Sequence, residues 1–258
     1  MPSTYAHYRF GTQVIPTLSK DAQLAVARFR PLFDVGLHGP DIFFHYNIFW
    51  HTAVGNLGNT MHEESGQEFF SRMCKRQRMH PSEAGMAYIY GFRAHYTLDS
   101  VCHPFINNIV DQGEIGHVEL ESEFERFLLD IDHKTPPNKQ DLSRHLHLTR
   151  SEASTASYLL PPTKPGNIRR AVKNMARHTK LLSTVNPRLM DRVLSHMGKD
   201  IRDQQMPAEP NRNCAYLDGD LHRLYKEALA LYPVLAAQLE DHIKNRTPLS
   251  EDFMRNFG

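Results

Sequence analysis

The chain has 258 residues, 40% hydrophobic and 23% charged, enough to enclose a sizeable core. Its 30 Lys+Arg against 29 Asp+Glu give a formal charge of +1, which excludes a global polycation built for duplex nucleic acid and an acidic solvating tail. No apolar run approaches the roughly 20 residues of a membrane span, and MPSTYAHYRF lacks a charged then apolar leader, so the expectation is a cytoplasmic protein without an integral membrane span.

Helical patterns follow one another along the chain. Residues 19–33 open on the capping candidates Ser19 and Asp21 and carry Leu24, Ala25, Phe29 and Leu32 at helical spacing. A second helix is expected over 59–77, with Met61, Phe69, Phe70 and Met73 on its apolar side. A third starts at Pro81 and runs through Ala87, Ile89, Ala94 and Leu98 to about Cys102, where Pro104 should stop it. A fourth spans 117–131, and others are expected at 167–184, 187–199 and 218–245. The breakers HKTPPN, PPTKPG and PAEPNRN read as loops, and strand signals are almost absent. The fold expected is all-α, one helical domain over residues 1–258.

Two segments are biased in charge. Lys164 to Gln204 holds ten Lys/Arg against three acids, and Asp111 to Asp132 holds eight acids against one Arg. Each fits a solvated face; the basic stretch also fits a surface turned toward an anionic substrate. Cys74, Cys102 and Cys214 are odd in number and form no CxxC, so buried reduced thiols are expected.

Histidine is the outlier: there are 16, nine of them between His7 and His117. In HYTLDSVCHP, His95, Asp99 and His103 are spaced four apart and form a row on one helix face, a donor set suited to a divalent ion, zinc foremost. The alternative is separate hydrogen bonds for each. HVELE adds His117 and Glu121 at the same spacing, and the short link after Pro104 can fold that helix back so that His103 faces the pair. Glu119 and Glu123 lie on other faces and read as solvated acids. Upstream, HGPDIFF places Asp41 among apolar residues, where it needs a partner, a metal or a backbone cap. His62 and His7 are isolated candidates, and His38, His45, His51 and His80 read as structural or surface residues. GxSxG, GxxxxGK[ST], GxGxxG, HExxH and an adjacent His-Asp pair are all missing.

With GPDIFF, the helix holding His62, HYTLDSVCHP and HVELE in this order, residues 2–125 resemble the zinc-dependent phospholipase C family, which shares its trinuclear zinc architecture with the single-strand-specific nucleases. The resemblance implies two or three zinc ions. Asp41, His62, His95 and Asp99 would hold one and His103, His117 and Glu121 another, while Asp99 would bridge to a third carrying His7. His51 competes with His62, which is preferred for its place on an amphipathic helix. In the family the third ion also takes the mature N-terminal amine; here that would be Pro2 after excision of Met1. The implied reaction is phosphodiester hydrolysis by a hydroxide shared between the metals, with Asp41 a candidate proton acceptor. The implied partner is a phosphodiester such as a phospholipid headgroup. The rivals are a single-strand nuclease, which would stack bases on aromatics such as Tyr46, Phe49 and Trp50, and a non-catalytic helical metal-binding domain. Most of the aromatics near the ligands are expected to fill the core.

Overall fold

A computed structural model describes residues 4–48, 50–184 and 206–258. Every regular element among the described residues is helical, and the protein is all-α. Helix α1 (Thr4–Val14) is absent from the expected set. The stretch read as one helix over 19–33 is two, α2 (Lys20–Arg28) and α3 (Arg30–Gly36), broken at Phe29, whose φ and ψ are −118° and 41°. Pro31 explains the break, because it has no N–H for the carbonyl of Ala27 and its ring would collide there.

The second expected helix also divides, into α4 (Ala53–Glu63) and α5 (Gly66–Met79). Glu64 is extended, and the Ser65 hydroxyl accepts from the Glu68 amide to start the new helix. Helix α6 (Glu83–Val110) runs well past its expected end. Pro104 lies inside it, and the Ser100 carbonyl that lost its amide partner accepts instead from Arg255 Nη1 at 3.4 Å. Helix α7 (His117–Ile131) matches its expected span. Helix α8 (Arg150–Leu159) was unforeseen, while α9 (Pro165–Thr184) and α10 (Asp218–Asn245) fall close to expectation. The helix expected at 187–199 lies outside the described residues.

Apolar residues surround α6 on more than one side, the pattern of a central helix. Ala94, Leu98, Cys102 and Ile106 join a core with Phe10, Leu120, Leu128, Leu221 and Tyr225; Tyr88, Phe92 and Tyr96 join another with Phe69, Phe70, Leu235 and Phe257. Cys74, Cys102 and Cys214 are buried free thiols, as expected. No described helix is long and apolar enough to cross a membrane.

Helix α3 crosses α6 backbone against backbone. A Cβ on Gly91 would stand 2.1 Å from the Phe33 carbonyl oxygen, and one on Gly36 would stand 2.7 Å from that of Tyr88. Both atoms belong to rigid main chain, so neither can yield cheaply. Gly91→Ala should therefore destabilise the protein by about 3 kcal/mol, the upper end of overpacking costs. For a chain of this size that is a melting-temperature drop of roughly 6–12 °C. A loss below about 1 kcal/mol in urea titration would show that the crossing relaxes.

Candidate metal centre

The row on α6 forms as its spacing requires. His95, Asp99 and His103 are buried and turned the same way, with His95 Nε2 3.0 Å from Asp99 Oδ2. Helix α1 brings His7 over the same carboxylate, its Nε2 3.3 Å from Oδ1. The two oxygens of Asp99 thus face different histidines. What holds α1 there is Glu125, whose Oε1 accepts from the first-turn amides of Tyr5 and of Ala6, the latter at 3.2 Å. Burial pushes its carboxyl well above the ordinary range.

Asp41 enters from the 3-10 turn Gly39–His45. Gly39 has φ +45°, and a Cβ there would stand 2.2 Å from the His95 ring. Glycine is required on both counts: it tolerates the left-handed backbone and lets the main chain lie on the imidazole. His62, at the end of α4, places Nε2 3.0 Å from Asp41 Oδ1, while its Nδ1–H donates to the Gly58 carbonyl at 2.8 Å. On the other side, α7 folds back against α6. The Nε2 atoms of His103 and His117 lie 3.4 and 3.2 Å from Glu121 Oε1. His103 Nδ1–H donates to the Phe257 carbonyl at 2.7 Å. In His62 and His103 a carbonyl accepts from Nδ1–H and so turns Nε2 toward the carboxylates, the usual outer support of a ligating imidazole.

Three donor sets result: His7, His95 and Asp99; Asp41, His62 and His95; and His103, His117 and Glu121. His95 is common to two of them. Asp41 Oδ1, both nitrogens of His95, His7 Nδ1, Asp99 Oδ2 and Glu121 Oε2 are buried without a hydrogen-bond partner, an arrangement that costs on the order of 1–3 kcal/mol per group. Yet the nitrogen–oxygen separations are 3.0–3.4 Å. Two donors on a tetrahedral zinc lie about 3.4 Å apart. Apart from His103 and Glu121, which share a hydrogen bond at 3.4 Å, these close donors are not bonded to one another; such spacing fits a shared cation, and nitrogen with carboxylate oxygen is a zinc-type set. The residues fit the metal.

The protonation balance without an ion follows from the same packing. Burial pushes Asp99 up. Burial opposes an imidazolium at His103, but Asp99 and Glu121 outweigh it and lift that group to about 10. His95, buried among His7, His62 and His38, falls well below the ordinary histidine range.

The sequence model of the zinc-dependent phospholipase C family matches residues 6–160, more than half of the chain. The chain belongs to that family. No curated protein and no solved structure matches it. The family is zinc-dependent, and all eight candidate ligands fall inside the matched span. Residues 1–3, and with them the Pro2 amine, lie outside the described ones.

Several readings need correcting. Glu123 is not solvated: it is fully buried, ion-paired with Arg126 at 2.7 Å, and accepts from the Asn211 amide. Glu119 is half-buried and accepts from the side-chain amides of Asn211 and Asn213. With Glu121, Glu123 and Glu125 all buried, the acidic stretch is not simply a solvated face. His38 and His45 are buried, whereas His51 and His80 are exposed. His38 Nε2 lies 2.7 Å from His145 Nε2, a pairing no local spacing could announce. Glu125 was also missed, although Glu121-xxx-Glu125 puts it on the ligand face of α7.

His103 carries a proton at neutral pH in the ion-free protein, and Nε2 must lose it to bind metal. Zinc uptake at pH 7 should therefore release at least one proton per chain, and affinity should rise from pH 6 to 8. Titration with zinc in weakly buffered indicator solution measures the release; uptake with none would refute the assignment of His103. Chelation should lower the melting temperature, because the buried carboxylates lose their counter-charge.

Proposed function

We propose that the protein is a zinc-dependent phosphodiesterase of phospholipase C type, one helical domain over residues 1–258 acting on a phospholipid or related phosphodiester. Membership of the family supports the reaction class. The observation that carries the reading is the convergence of three donor sets, with Asp99 turning one oxygen to His7 and the other to His95. In this reading Asp41, His62, His95 and Asp99 hold one ion. His103, His117 and Glu121 hold a second, and Asp99 with His7 a third.

Zinc bound there would supply Lewis acidity toward a phosphoryl oxygen and acidify a water molecule. The chain does the rest. Gly58 and Phe257 hold the His62 and His103 rings through their carbonyls, so Nε2 of each stays presented to the cluster. Asp41, buried beside His62 at the cluster, is a ligand whose carboxylate also accepts the proton of the attacking water, through the oxygen not given to the ion. His117, with a third of its side chain exposed beside buried neighbours, marks the side from which substrate reaches the cluster.

The test is an assay of zinc-loaded protein on a chromogenic phosphodiester, a phosphatidylcholine dispersion and a single-stranded oligonucleotide. Hydrolysis of the first two is expected. Asp99→Asn should lower it at least about 100-fold, since one neutral amide oxygen cannot serve two cations, and His7→Ala should cost less. Cleavage of oligonucleotide alone would favour the nuclease alternative, and cleavage of none a non-catalytic metal-binding domain.

A further inference from the structure

Behind the 3-10 turn that carries Asp41 lies a second cavity of about 400 Å³, within the size range of small-molecule sites. One wall is α9. Arg170, Asn174, Arg177 and His178 follow one another at spacings of four, three and one, so they share a helix face, and all four line the cavity. The opposite wall is the end of the turn, His45 and Tyr46, continued by Trp50. The Asn174 side-chain amide donates to the Tyr46 carbonyl at 3.1 Å and ties the two walls together.

The lining is lopsided in charge: two guanidinium groups and no acid among the described residues. Arg170 stacks over the Tyr46 ring at 4.6 Å and forms no ion pair with a described residue; Arg177 forms none either. His45 is 6% exposed, and neither of its ring nitrogens has a hydrogen-bond partner. Its ring lies 5.3 Å from that of His178. Burial pushes His45 down to about 3, so it is a neutral imidazole with one N–H to donate. A buried donor left unpaired beside two guanidinium groups that pair with no acid among the described residues is complemented by an oxyanion.

We propose that this cavity binds the phosphate group of a phosphorylated ligand, with Arg170 and Arg177 supplying the charge and His45 a ring N–H. The cavity is larger than a bare phosphate needs, and Asn47, Ile48 and Leu181 line it beside the polar groups, leaving room for the rest of the ligand. The basic stretch on α9 is thereby given a partner, independently of any reaction at the metal cluster. The phosphate can be that of a soluble phosphomonoester or of an anionic lipid headgroup.

Trp50 is the sole tryptophan and lines the cavity, so its fluorescence reports occupancy directly. Titration with inorganic phosphate and with glycerol phosphate should give a saturable change that glycerol, or sodium chloride at equal ionic strength, does not. Arg170 and Arg177 are both exposed, so an Arg170→Gln, Arg177→Gln double variant should fold as the parent does, which circular dichroism checks. It should bind at least about tenfold more weakly, two charge-assisted contacts being lost. Sedimentation with phosphatidylcholine vesicles containing phosphatidic acid, lost in the double variant, would assign the phosphate to a lipid; a response to glycerol phosphate alone would assign it to a soluble ligand. The proposal is overturned if the parent shows no saturable change, or if the double variant binds as tightly, since phosphate would then be held at the metal cluster or nowhere.

Discussion

Charge buried without counter-charge is the constraint on which this protein turns. Asp41, Asp99 and Glu121 are each at most 6% exposed, and no Lys or Arg among the described residues is paired with any of them. Among the described residues only histidines meet them; His103 is the one that the surrounding carboxylates lift, while burial keeps His95 low. A chain gains nothing in stability from such an interior; replacing buried ionic groups by apolar ones is often neutral or stabilising. The fold around the cluster makes sense as the scaffold that brings these groups together for a cation.

The architecture follows from that need. A central helix supplies three donors in one row because their spacing is four, and apolar cores on either side keep the row dry. Backbone contact between α3 and α6 at Gly36 and Gly91, and between Gly39 and the His95 ring, brings the Asp41 turn within a cation's reach of the row. Elsewhere the interior handles charge differently. Arg93 is fully buried with its guanidinium 4.2 Å from the Tyr232 ring centroid and 5.1 Å from that of Tyr90, an arrangement that meets a cation with aromatic faces instead of acids.

What could be read from the sequence was whatever is local. The rows on α6 and α7 are periodic, so both pairs of candidate ligands and the order of the motifs were legible. The second end of α6 was not, because the carbonyl that Pro104 leaves without an amide is met by Arg255, some 150 residues later in the chain. Helix α1 gave no sequence signal of its place either: its first-turn amides at Tyr5 and Ala6 donate to Glu125 from α7. The acids of α7 look alike in a sequence, yet Glu121 faces the cluster, Glu123 pairs with Arg126 and Glu125 holds α1. Their roles are set by which helix lies opposite, and no spacing reports that. For the same reason His45 and His178, from distant segments, gave no signal as a pair.

The segment after α10 reaches back to the cluster at Phe257. Its amide donates to the His62 carbonyl, its own carbonyl accepts from His103, and its ring packs near those of His62 and His95. One residue thus meets histidines from all three donor sets. Binding linkage is reciprocal: if an ion on His103 favours the docked segment by some free energy, the docked segment favours the ion by the same amount. By that linkage, the affinity of the cluster for an ion would depend on whether residues 246–258, which carry Phe257, stay docked against it.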